Sequence, residues 1–107
     1  SKCNSLKEIS IPSTVTAIDD FAFSFCYNLN QIKLPSSVDT IGAKAFLSCT
    51  SLTDITIPEG VVSIGNSAFE KCSNLTSLNL PSTITQIGKL GFESCLSKQD
   101  FMMMHHK

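Results

Sequence analysis

The sequence predicts an α/β repeat solenoid, on three observations. Cysteines recur at a fixed 23-residue step, apolar residues recur with them, and a proline closes each short alternating stretch. Cys3, Cys26, Cys49, Cys72 and Cys95 share one phase. Scattered cysteines would do so only on the order of a few times in a million, so the chain is built of repeats. Four complete units, 3–25, 26–48, 49–71 and 72–94, run without insertion or deletion. The expected array spans 1–97, and 98–107 form an aperiodic tail.

Three residues after each unit's opening cysteine stands a leucine: Leu6, Leu29, Leu52 and Leu75. A strand follows, because Ile9 and Ile11 alternate with polar Glu8 and Ser10. The same alternation recurs through Ile32 and Leu34, Ile55 and Ile57, and Leu78 and Leu80. Pro12, Pro35, Pro58 and Pro81 then end the strand by removing a backbone donor. After a Pro-Ser-Thr or Pro-Glu-Gly corner comes a Val-x-x-Ile stretch with room for a second small strand, as in Val38 to Ile41. Gly42, Gly65 and Gly88 mark a further corner; Asp19 stands there in the first unit, and Asp also tolerates a left-handed backbone. Finally Ile18, Ala22, Cys26 and Leu29 recur at steps of four, four and three, which predicts a short helical or 3-10 segment. Ala22, Ala45 and Ala68, beside Phe23, Phe46, Phe69 and Phe92, keep phase with this set and read as core.

A single unit cannot bury its own apolar side. Stacked units can, each covering the next while the strands pair in a parallel ladder. At about 4.8 Å per rung, four rungs make a body about 20 Å long.

Composition narrows the function. Eight lysines face nine acids with no arginine, and the net charge is -1. Nothing draws such a chain to nucleic acid or anionic lipid, and the usual bidentate reader of phosphate and guanine is missing. No apolar run approaches the roughly 18 residues of a membrane span, so no membrane insertion is expected within this chain. The chain itself carries no signal peptide and starts at Ser1 without a methionine, so it is expected to be a piece of something longer, and its start does not give the compartment. The only histidines, His105 and His106, lie in the tail, so the repeat body holds no imidazole base. There is no glycine-rich phosphate loop and no paired metal-ligand spacing. No enzymatic activity, cofactor or metal is expected. The tail Met102-Met103-Met104-His105-His106 offers soft-metal ligands, but a disordered tail, or one that covers the last rung with Phe101 and the methionines, suits its terminal position better.

The unit L-x-x-I-x-I-P-x-x-V-x-x-I-G-x-x-A-F-x-x-C resembles the BspA-like, Treponema pallidum-type leucine-rich repeats over about nine-tenths of the chain. The resemblance implies a curved, right-handed leucine-rich-repeat coil with the Leu-x-x-Ile-x-Ile-Pro strand on one side. It also implies a surface-exposed or secreted adhesion protein that contacts host matrix or cell-surface proteins. Three departures stand out: Asp19 for glycine, Gly91 for alanine, and Lys98 in the inward leucine column, where a lysine would stop the array near Cys95.

Two surfaces are candidates for contact. The strand's outward positions form polar columns: Lys7, Asn30, Thr53 and Thr76; Glu8, Gln31, Asp54 and Ser77; Ser10, Lys33, Thr56 and Asn79. Repeat proteins commonly bind through this side, yet it lacks Trp, Tyr and Arg anchors, and a merely solvated face is the competing reading. The second is an aromatic patch out of phase with the core, Phe21, Phe25 and Tyr27, where other units carry Lys44, Ser67, Ser48 and Lys71. It packs against a preceding segment or a partner, or is simply tolerated. The cysteine column reads as packed, reduced thiols, since stacked side chains point the same way while disulfides and zinc need converging ones. The expected function is protein interaction on a cell surface, with neighbouring repeats of a longer chain as further contacts. The alternative is an intracellular (cytoplasmic) scaffold of the same architecture.

Overall fold

The structure, a computed structural model, describes residues 5–88. Two kinds of strand alternate along the chain. The longer ones are β1 (Glu8–Ser10), β3 (Gln31–Lys33), β5 (Asp54–Thr56) and β7 (Ser77–Asn79); the shorter are β2 (Ala17–Ile18), β4 (Thr40–Ile41), β6 (Ser63–Ile64) and β8 (Gln86–Ile87). All pairing is parallel and in repeat register, as in Ile9 with Ile32 and Ile41 with Ile64. Parallel pairing follows from the periodicity, because each unit returns its strand in the same direction one rung further on. The short strands form one continuous sheet, β2-β4-β6-β8, whereas the long ones form two separate pairs, β1-β3 and β5-β7.

The inward columns meet in a single core. Leu29, Leu52 and Leu75 are buried, as are Val38, Val61, Ile41 and Ile64. Phe46 and Phe69 stack with ring centroids 5.1 Å apart and planes 5° from parallel, and Phe23 continues the stack at 5.5 Å from Phe46. Each rung therefore covers its neighbour's apolar side, which no rung could do alone. The first rung lacks such cover among the described residues. Leu6 is 45% exposed there, where Leu29 and Leu52 are fully buried.

The predicted helical segment is a correction: the described residues contain no helix. Alternate amides of that stretch leave the segment and donate to the next rung, Phe21 to Ala43 O at 3.0 Å, Phe23 to Ala45 O at 2.8 Å and Phe25 to Leu47 O at 2.8 Å. Those between them close tight i to i−3 turns, Ala22 to Asp19 O at 3.1 Å and Ser24 to Phe21 O at 3.2 Å. A helix would direct all of them along its own axis. To alternate, the chain enters the left-handed region twice per unit, at Phe21, Lys44 and Ser67, and again at Phe25, Ser48 and Lys71, with φ between 56° and 63°.

The glycine corner is a second correction. No described glycine has positive φ. These glycines answer close approach instead. A Cβ on Gly42 would lie 2.5 Å from the Asp20 amide nitrogen, and one on Gly88 2.4 Å from that of Asn66. Asp19 carries a side chain at the same phase in the first rung, which among the described residues has no rung beneath it.

Candidate functional site

The long strands position the polar columns. Alternation turns Ile9, Ile32 and Ile55 inward, so their neighbours must face out. Lys7, Asn30, Thr53 and Thr76 are exposed, as are Glu8, Gln31, Asp54, Ser10, Lys33, Thr56 and Asn79; Ser77 pairs with Asp54 in the β5-β7 register. Side chains link rungs within one half: Asn79 Nδ2 donates to Thr56 Oγ1 at 3.3 Å and Thr76 Oγ1 to the Thr53 carbonyl at 3.4 Å. A cleft of about 600 Å³ runs along this face across three rungs, lined by Glu8, Ile9 and Ser10 of β1, by Gln31–Leu34 and by Asp54–Thr56.

The aromatic patch sits on the turn segment. Phe21 is 48% exposed, Tyr27 46% and Phe25 38%. Phe25 and Tyr27 hold their ring centroids 6.1 Å apart, and the Lys44 ammonium lies 5.7 Å from the Phe21 centroid. Such a cation-over-ring contact is worth about 0.5–1 kcal/mol when exposed. Both phenylalanines occupy left-handed backbone, which costs a side-chain-bearing residue about 1–2 kcal/mol. Neither burial nor backbone preference accounts for an aromatic at these two positions.

A third surface escaped the sequence reading. A groove of about 850 Å³ crosses all four short strands, with Gly42, Gly65 and Gly88 in its floor and Ala17, Thr40 and Ser63 along one wall. Its signal was the glycine column beside a column of small residues. Among the described residues no three His, Cys, Asp or Glu side chains come together to hold a metal.

The cysteine column divides. Cys49 and Cys72 are buried thiols, not disulfide-bonded, that donate to the Phe23 and Phe46 carbonyls, each at 3.1 Å. Burial pushes the Cys49 thiol from 9.0 up to about 11, against a smaller opposing hydrogen bond from the Cys26 backbone. That leaves it protonated and unreactive near neutrality. Cys26 is a correction to the expected reduced column, being disulfide-bonded. Rungs stacked about 4.8 Å apart fall inside the Cα separations that a disulfide accepts, so pointing in the same direction does not forbid the bond. Cys3, Cys95, Gly91, Lys98, Phe101, the methionines and both histidines lie outside the described residues. Among those described, no helix is long and apolar enough to cross a membrane.

Comparison with known proteins agrees with this geometry. The BspA type leucine rich repeat region matches residues 1–106, in 6 copies. A leucine rich repeat protein of T. pallidum is 36% identical, with a TM-score of 0.83 over 85% of this chain and 42% of its own. One from Bacteroides ovatus is 34% identical, with a TM-score of 0.84 over 90% of this chain and 24% of its own. A leucine rich cell surface protein of Faecalibacterium prausnitzii is 40% identical, with a TM-score of 0.69 over 72% of this chain and 20% of its own. This chain thus spans less than half the length of each. No curated protein matches it.

Proposed function

The chain belongs to the BspA-type leucine-rich-repeat family, and we propose that it is a non-enzymatic protein-interaction module of a cell-surface or secreted adhesin. The observation that carries this reading is the long-strand face. A rigid apolar spine holds exposed polar side chains at regular rung spacing, and rung-to-rung hydrogen bonds from Asn79 and Thr76 help fix their positions. The partner is a host matrix or cell-surface protein, contacted through the columns from Lys7 to Asn79, with Phe21, Phe25 and Tyr27 as a secondary patch. Two observations support an exported protein. The disulfide at Cys26 suits an oxidising compartment, and one similar structure is described as a cell surface protein. Four rungs offer only a few hundred Å², below the roughly 800 Å² per partner of a stable complex, so adhesion depends on further repeats or many copies.

The intracellular scaffold is favoured instead by the reduced thiols of Cys49 and Cys72. Thiol mapping of the protein isolated from its native source separates the two: Cys26 blocked in the native protein and released by reductant fits export, whereas a fully reduced Cys26 fits the cytoplasm. Binding is tested with the chain displayed in many copies over immobilised host matrix proteins and whole cells. Capture should fall with Lys33→Glu and Asp54→Lys. Capture that ignores both substitutions, or turnover of any screened substrate, would count against the proposal.

A further inference from the structure

We infer that the array flexes at one place, the seam between β3 and β5, with the short-strand sheet as its hinge. The repeat makes every rung interface comparable with its neighbours, residue for residue. After β1 the Ile11 amide donates to Lys33 O at 3.2 Å, and after β5 the Ile57 amide donates to Asn79 O at 2.9 Å. Leu34, their equivalent after β3, makes no such bond to Thr56. Before the strands the Asn30 amide reaches Lys7 O and the Thr76 amide reaches Thr53 O, each at 2.9 Å, but the Thr53 amide does not reach Asn30. Among the described residues, the break is therefore specific to one of three long-strand interfaces.

It is also confined to one side. Across the same pair of rungs Gly65 donates to Ile41 O at 2.7 Å and Val62 to Asp39 O at 2.9 Å. On the turn segment Lys44 donates to Asn66 O at 2.9 Å, Phe46 to Ala68 O at 2.8 Å and Ser48 to Glu70 O at 2.8 Å. Two sides of the interface are stitched by backbone hydrogen bonds, and on the third β3 and β5 are not paired. A body held on two sides and free on the third bends about the held sides. Bending alters the separation of Lys33 from Asp54 and hence the curvature of the polar face. The inference concerns the bare chain and stands whether or not that face binds a partner.

Amide exchange and methyl relaxation dispersion on the intact chain test it. The Leu34 and Thr53 amides should exchange at least about tenfold faster than Ile57 and Thr76, their equivalents across the bonded interface, while Gly65 stays as protected as Gly42. The methyls of Ile32, Leu34 and Ile55 should show microsecond-to-millisecond exchange, which a static gap would not produce. A K33C/T56C disulfide across the seam should quench that exchange and slow Leu34 to the Ile57 rate. Equal protection of Leu34 and Ile57, absent dispersion at the seam, or unchanged dispersion in the oxidised variant would each overturn the hinge.

Discussion

Gly65 lies directly against Ala43 of the preceding rung: a Cβ there would stand 2.5 Å from the Ala43 amide nitrogen and 2.7 Å from the Gly42 carbonyl carbon. Both neighbours are main chain, so neither can swing aside. Gly65→Ala should destabilise the array by about 2 kcal/mol or more, the scale of overpacking a rigid interior. Denaturant midpoints check this, with Val62→Ala at an exposed site as the mild comparison.

Lys71 occupies left-handed backbone at φ 63° with its side chain exposed. Lys71→Gly should stabilise by roughly 0.5–1 kcal/mol, since the strain relieved exceeds the extra freedom gained by the unfolded chain. Lys71→Val should shift the melting midpoint the other way, because a β-branched residue suits that conformation worst.

The Cys49 thiol, pushed up from 9.0 to about 11, gives a defined pH response. Above pH 9 the unfolded chain loses this proton while the folded chain keeps it. The contribution to stability is therefore complete below pH 9 and is lost as pH rises towards 11, a total of about 2–3 kcal/mol. Stability curves of the parent and Cys49→Ala should converge over that range. At pH 8, native Cys49 and Cys72 should resist alkylation that labels both in denaturant.

Leu52 is fully buried between Leu29 and Leu75, whereas its neighbour Thr53 faces solvent. Leu52→Asp places an unpaired charge in the shared core and should remove the cooperative transition altogether. Thr53→Asp should change stability by no more than about 0.5 kcal/mol. Similar melting curves for the two variants would contradict the inward and outward assignment.

The sequence by itself determined the period, the register and the core. A 23-residue step leaves one way to superimpose the leucines, isoleucines and phenylalanines, and that superposition is the parallel ladder from Glu8 with Gln31 to Ile64 with Ile87. The polar columns were legible for the same reason, because alternation about an inward isoleucine leaves its neighbours nowhere else to point. Only the tertiary structure decided the turn segment, since steps of four, four and three fit both a helix and a rung whose amides reach sideways. The second outcome needs an acceptor one rung away, such as Ala45 for Phe23, and a local pattern does not contain it. The glycines likewise answer a backbone that approaches from another unit. The unpaired seam beside Leu34 and the bonded Cys26 arise where equivalent positions part company, and a repeat read as repeats predicts every interface alike.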